Sequence, residues 1–236
     1  MQVGGPEKAS MSDANTSQQQ SAQRFPLVEA LLNLLFPPRC VGCQASGHWL
    51  CSTCMDQILF FEPPWPAIVD EVWPLQGVRA AAHLSGPLRR AIHCFKYEGL
   101  RALAPVLGEI LSDCWDAEPW LVDVIVPVPL HPQRLRERGY NQSVLLAREL
   151  ARHTGLPVAD CELLRITPTP PQVGLSAAER TENVRGAFRC HDDNLSGLRI
   201  LLVDDVLTTG ATLRACAQAV LEGRASGVWG LTLAHD

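Results

Sequence analysis

Apolar and polar residues alternate along this chain in blocks that predict helices and strands in turn. Pro26 to Phe36 carries apolar residues at helical spacing and is stopped by Pro37-Pro38. Val78 to Leu84 reads as a strand. Gly86 to Phe95 and Ala102 to Cys114 read as helices that bury Leu88, Ile92, Leu103, Val106, Leu107, Ile110 and Leu111. Leu121 to Val128 is a largely apolar run suited to a strand covered on both faces, and Asn141 to His153 is an amphipathic helix closed by Gly155 and Pro157. A second such unit follows, with Arg199 to Val203 as a buried strand, Thr212 to Glu222 as a helix and Val228 to Ala234 as a last strand. The alternation predicts an α/β fold, a parallel sheet flanked by helices, with ligands outside the carboxyl ends of its strands. Arg165 to Phe188, dense in Pro, Thr, Gln and Arg, is too long for an ordinary connection and reads as a lid.

Composition narrows this picture. A chain of 236 residues holds one sizeable domain plus a small module, and 47% hydrophobic against 19% charged residues marks it as globular. Disorder is expected only in residues 1–25, a Ser/Gln/Ala-rich tail without the apolar segment of a signal peptide. Residues 26–69 are expected to form a short helix, a cysteine module and a proline-dense linker, and residues 70–236 the α/β domain. No apolar run reaches the ~20 residues that span a bilayer, so membrane insertion is not expected and a cytoplasmic location is. The net charge of −5 argues against a protein that grips nucleic acid by global positive charge, so any phosphate site must be focal.

The cysteines carry the first chemistry. Cys40, Cys43, Cys51 and Cys54 form C-x2-C-x7-C-x2-C, two turns that each point two thiolates at one ion, and four soft sulfurs suit tetrahedral zinc. Two disulfides or an iron–sulfur centre are the alternatives, both less suited to a cytosolic chain of this pattern. Four thiolates leave no open position for a water nucleophile, so the expected role of the zinc is structural. The other five cysteines, at 94, 114, 161, 190 and 216, stand singly and read as buried small hydrophobes. His48, inside the module, reads as a surface residue.

The most informative segment is Ile200-Leu-Leu-Val-Asp-Asp-Val-Leu-Thr-Thr-Gly-Ala-Thr212. An apolar strand runs into two adjacent carboxylates, and a Thr/Gly turn then opens a helix whose free N–H groups and hydroxyls form an anion cradle. The cradle suits a phosphate monoester. The carboxylates, as acceptors, suit the vicinal hydroxyls of a ribose. Together they predict a ribose 5-phosphate group. The chain has no Gly-Lys pair, hence no phosphate loop of the ATPase kind, and no G-x-G-x-x-G.

At these residues the sequence resembles the type I phosphoribosyltransferases and their signature for 5-phosphoribosyl 1-diphosphate (PRPP). That resemblance implies that Asp204 and Asp205 meet the ribose hydroxyls as the catalytic pair. It also implies that the loop Val206, Leu207, Thr208, Thr209, Gly210, Ala211 and Thr212 holds the 5-phosphate. The loop Pro127, Val128, Pro129, Leu130 and His131 would hold the diphosphate of Mg2+-bound PRPP. The wider set of motifs is similar to the ComF (GntX-like) competence family: Phe36-Pro-x-x-Cys, Phe95-Lys-Tyr-Glu-Gly99, Val126-Pro-Val-Pro129, Arg138-Gly-Tyr-Asn-Gln142, Gln172, Leu175-Ser176, Glu179-Arg180 and Asn183-Val184. The likeness covers residues 34 to 234. It implies a cytosolic protein of natural transformation and DNA uptake that handles single-stranded DNA beside a competence helicase.

Basic residues complete the list. The chain has 18 arginines and 2 lysines, Lys8 and Lys96, and residues 131 to 152 hold Arg134, Arg136, Arg138, Arg148 and Arg152. Arg136 and Arg138 flank the expected diphosphate loop, Lys96 is a candidate phosphate contact, and Arg180 lies in the lid. Two functions follow. One is a binding protein that takes PRPP or ribose 5-phosphate and tracks single-stranded DNA. The other is an active phosphoribosyltransferase that displaces diphosphate from Mg-PRPP onto an unidentified acceptor.

Overall fold

The computed structural model describes residues 37–67, 73–167, 184, 186–191 and 193–236. The expected tail, the helix at 26–36, and Gln172, Leu175, Ser176, Glu179, Arg180, Asn183 and Arg185 of the long loop lie outside the described residues.

The chain enters through the cysteine module, whose one short helix is α1 (Ser52–Met55). Strand β1 (Gly77–His83) leads into α2 (Gly86–Tyr97) and, after one 3-10 turn, α3 (Ala104–Ala117). Strand β2 (Val124–Pro127) is followed by α4 (Pro132–Arg138) and α5 (Gln142–Thr154). A small antiparallel pair, β3 (Leu163–Arg165) and β4 (Phe188–Cys190), flanks the long loop. Then come β5 (Arg199–Leu207), α6 (Ala211–Glu222) and β6 (Gly227–His235).

Among the described residues the main sheet has the order β1-β6-β5-β2, all parallel. Alternation along β5 shows how it is covered, because successive strand residues face opposite sides. Leu201 and Val203 pack with Leu88, Ile92, Phe95, Leu107, Leu111 and Leu146, so α2, α3 and α5 lie on one face. Ile200 and Leu202 pack with Leu213, Cys216, Val220, Leu163 and Phe188, so α6 and the β3–β4 pair cover the other. No helix among the described residues is long and apolar enough to cross a membrane. The fold class is as the periodicity predicts.

Three boundaries differ. The strand expected from Leu121 begins only at Val124, and Leu121 is 74% exposed. The basic stretch after β2 is helical from Pro132, because His131 caps it through a ring nitrogen that accepts from the Gln133 N–H. Strand β5 runs four residues beyond Val203.

The cysteine module is fused to the domain edge. Phe61 N–H donates to the Ala81 carbonyl and His83 N–H to that of Leu59, which lays residues 59–61 antiparallel along β1 and covers its free edge. Cys40, Val41, Leu50, Cys54 and Ile58 share a core with Leu88, Ala91 and Ile92 of α2. Residues 39–236 accordingly form one compact unit.

Candidate functional site

The acidic pair stands inside the sheet, not after it. Asp204 is in register with Thr232, Val206 with Ala234 and Leu207 with His235, so β5 keeps its ladder through both carboxylates. Two buried acids are tolerated there because their surroundings answer them. Ser143 Oγ donates to Asp204 Oδ1 at 2.9 Å, and the Asp205 N–H donates to the same oxygen at 2.9 Å. Lys96 Nζ lies 2.8 Å from Asp205 Oδ1. Burial and the adjacent Asp205 charge push the Asp204 carboxyl up to about 7, against the pull of Lys96 and of its two hydrogen bonds.

Val206 is half-buried and Leu207 sits in the core, so both are strand residues flanked by the cradle. The turn proper is Thr208, Thr209 and Gly210. Gly210 has φ 74° and caps α6, a left-handed backbone that a side chain resists. Ala211 opens the helix and Thr212 follows in its first turn, which points the start of α6 at the end of β5. Arg214 Nη1 donates to the Thr209 carbonyl at 2.8 Å and fixes the turn from within α6. Asp205 Oδ2 and Thr209 Oγ1 are both buried, and neither has a hydrogen-bond partner among the described residues. Both atoms therefore remain available to a water or a polar ligand.

Two sequence motifs meet beside the acidic pair. Tyr140 donates its hydroxyl proton to the Phe95 carbonyl and packs its ring 5.9 Å from that of Phe95. Arg138 lies 5.4 Å over the Tyr97 ring and donates to Gln142 Oε1. Asn141 caps α5 by accepting from the Ser143 N–H, while its amide donates to the Val128 carbonyl at 2.9 Å. That one residue ties the loop after β2 to the helix whose Ser143 holds Asp204.

The expected diphosphate loop is short of donors. Pro127, Pro129 and Pro132 have no N–H, and the Val128 N–H is engaged by the Val203 carbonyl at 2.9 Å. That leaves the N–H groups of Leu130 and His131 and nearby side chains as the donors a diphosphate there could use. Arg136 is exposed and Arg138 half-buried on α4, and Arg165 of β3 faces Asp204, Cys216 and Arg134. Arg148 and Arg152 lie apart from the turn and pair with Asp160 and Glu149.

The cysteine sulfurs of 40, 43, 51 and 54 all lie within 4.8 Å of one another. A tetrahedral ion with metal–sulfur bonds of ~2.3 Å sets its sulfurs about 3.8 Å apart, and Cys43 Sγ to Cys51 Sγ is 3.5 Å, so the cluster fits a structural metal ion. Gly42 makes the convergence possible, because a Cβ there would stand 2.6 Å from Cys54 Sγ. Burial raises the Cys40 pKa, yet N–H groups of Cys51, Cys43 and Gly42 bring it down to about 6, whereas burial and the neighbouring sulfurs push Cys54 up to about 12. His48 is exposed, whereas Trp49 is half-buried against the core. Of the scattered cysteines, 94, 114 and 216 are buried as expected, Cys190 is half-buried, and Cys161 is exposed because it sits in the turn before β3.

No family model matches the chain. It is 31% identical to competence protein F of Haemophilus influenzae, over 83% of this chain and 97% of that protein. It is 37% identical to competence protein ComFC of Bacillus subtilis, over 83% of this chain and 76% of that one. The chain belongs to the ComF family. Another relative is the DNA utilization protein YhgH of Escherichia coli K12, 31% identical over 81% of this chain and 80% of that one. Among solved structures, adenine phosphoribosyltransferase from Leishmania donovani overlaps 80% of each chain at 14% identity with a TM-score of 0.38. The glutamine PRPP amidotransferase from Bacillus subtilis overlaps 56% of this chain and 26% of its own at 22% identity, with a TM-score of 0.39. The ComF-like stretches around Lys96, Val128, Arg138 and Asp204 are the ones that the fold gathers at the carboxyl ends of β2 and β5.

Proposed function

We propose that the protein binds the ribose 5-phosphate group of Mg-PRPP, or of a related ligand, at the carboxyl end of β5 and serves competence and DNA uptake in the cytoplasm. The observation that carries this reading is the orphaned pair, Asp205 Oδ2 as an acceptor and Thr209 Oγ1 as a hydroxyl, beside the left-handed Gly210 turn. An acceptor that lacks a donor suits a sugar hydroxyl, and a hydroxyl beside a helix start suits a phosphate oxygen. Arg136 and Arg138, on the helix that follows the loop after β2, are assigned to the diphosphate. The four cysteines are assigned a structural zinc, which would lock the two turns of the module.

Single-stranded DNA is assigned to the same side of the domain. Tyr97 is 58% exposed, lies under Arg138, and so offers a base-stacking ring beside cations that grip phosphate. The transferase reading draws on the burial of Asp204 beside a second carboxylate, which pushes its carboxyl up to about 7 and suits a group that takes a proton from an acceptor. The diol assignment is tested by comparing ribose 5-phosphate with 2-deoxyribose 5-phosphate in calorimetry. Loss of one charge-assisted hydrogen bond should cost at least about tenfold in affinity. Equal affinity for the two sugars would remove the acidic pair from the ribose.

A further inference from the structure

We propose that Lys96 is the internal counter-ion of the acidic pair, a positioning residue that holds the Asp205 carboxylate by one oxygen and turns the other to the ligand, and that it makes no contact with phosphate. The assignment rests on the ribose reading of this site, and it replaces the phosphate contact that a lone lysine suggests.

The geometry is specific. Lys96 Nζ is 2.8 Å from Asp205 Oδ1, with the lysine side chain 19% and the aspartate side chain 4% exposed. The backbone that aims it is held on both sides. Phe95 is buried and its carbonyl accepts the Tyr140 hydroxyl, while Tyr97 lies under Arg138. Burial alone would draw the ammonium pKa down, yet the Asp205 carboxylate, and behind it Asp204 and Tyr97, hold it above the ordinary lysine value. The ammonium is therefore a fixed charge of the fold.

Charge accounting on the pair leads to the same role. Asp204 Oδ1 is answered by two neutral donors, Ser143 Oγ and the Asp205 N–H. Asp205 Oδ1 is answered by the cation, and Asp205 Oδ2 has no partner among the described residues. If Lys96 left for a phosphate, a buried carboxylate would stand beside a second one without its cation, an arrangement that buried pairs resist strongly. A lysine that stays instead fixes the rotamer of Asp205 and leaves Oδ2 as an acceptor of defined direction.

The test is a two-by-two cycle of wild type, Lys96→Met, Asp205→Asn and the double variant, read first by melting temperature and then by calorimetry. A counter-ion predicts coupling. Lys96→Met alone lowers Tm by roughly 5–10 °C, and adding Asp205→Asn recovers most of that loss. In calorimetry Lys96→Met weakens ribose 5-phosphate by about tenfold or more and leaves inorganic phosphate within about twofold. Should Lys96→Met fail to fold, the double variant must fold, and its failure would overturn the proposal. Additive losses in Tm, or an equal loss of affinity for inorganic phosphate, would also overturn it. A wild type that binds neither ligand defeats the ribose reading, and the melting cycle then decides the role of Lys96 by itself.

Discussion

Replacing Asp204 by Asn should stabilise the folded chain at pH 8 and leave it unchanged near pH 4. Asp204 is 9% exposed and adjoins a second buried carboxylate, with Lys96 placed on that second one. Burial and the Asp205 charge raise its pKa from 3.8 to about 7. Between those values the native state holds a proton that the unfolded chain has released, so stability falls as pH rises. The contribution is complete below about pH 4 and is lost as the pH passes through 7. The rise from 3.8 to about 7, at ~1.36 kcal/mol per tenfold change in proton affinity, sets a ceiling of about 4 kcal/mol. At ~2–4 °C per kcal/mol for a domain of this size, the ceiling corresponds to a Tm difference on the order of 10 °C.

Asparagine keeps the volume and the oxygen that accepts from Ser143 Oγ and the Asp205 N–H, but it carries no charge. The difference in Tm between variant and wild type, followed by calorimetry from pH 5 to pH 8, cancels every group the two share. Lys96, Arg165 and Cys216 also face the pair, and their charge changes fall outside this range. The variant should gain on the wild type from pH 5 to about 7 and level off above that. A flat difference, or a variant less stable at pH 8, would show that Asp204 is ionised and well paired in the fold.

Other outcomes follow from the same geometry. Purified protein should hold one zinc per chain by elemental analysis, and Cys40→Ser should release it and expose the α1–α2 contact to proteolysis; iron, or full retention in the variant, contradicts the assignment. Single-stranded DNA should bind with affinity that falls at least ~10³-fold between about 50 and about 200 mM salt if six or more phosphates are gripped. In the same fluorescence titration Arg136→Ala should reduce the salt slope by about one. Asn141→Ala removes a helix cap and the bond to the Val128 carbonyl, and should lower stability in urea denaturation by about 1–2 kcal/mol.

Local chemistry made much of this legible in the sequence. The apolar runs at 78–84, 199–203 and 228–234 are strands because buried parallel strands need both faces apolar, and the paired C-x2-C turns converge as their spacing requires. What the sequence hid depends on partners far along the chain. Asp204 and Asp205 looked like a strand end because carboxylates rarely continue a buried ladder, and only Lys96 and Ser143, 109 and 61 residues away, make that tenable. The basic stretch at 132–138 has too few apolar positions to announce a helix, so α4 escaped the periodicity. The meeting of Phe95-Lys96-Tyr97 with Arg138 to Gln142 had no signal in spacing, since it is set by how α2 and α5 pack on one face of the sheet.

The most direct test of the account is calorimetry of Mg-PRPP with wild type and Gly210→Val. Gly210 holds φ 74° at the cradle, where a β-branched side chain is strained and would crowd the phosphate. Wild type should bind PRPP at a single site and Gly210→Val, checked as folded by circular dichroism, should show no measurable heat. Absent heat in the wild type, or equal affinity in the variant, would contradict the phosphate loop at the end of β5.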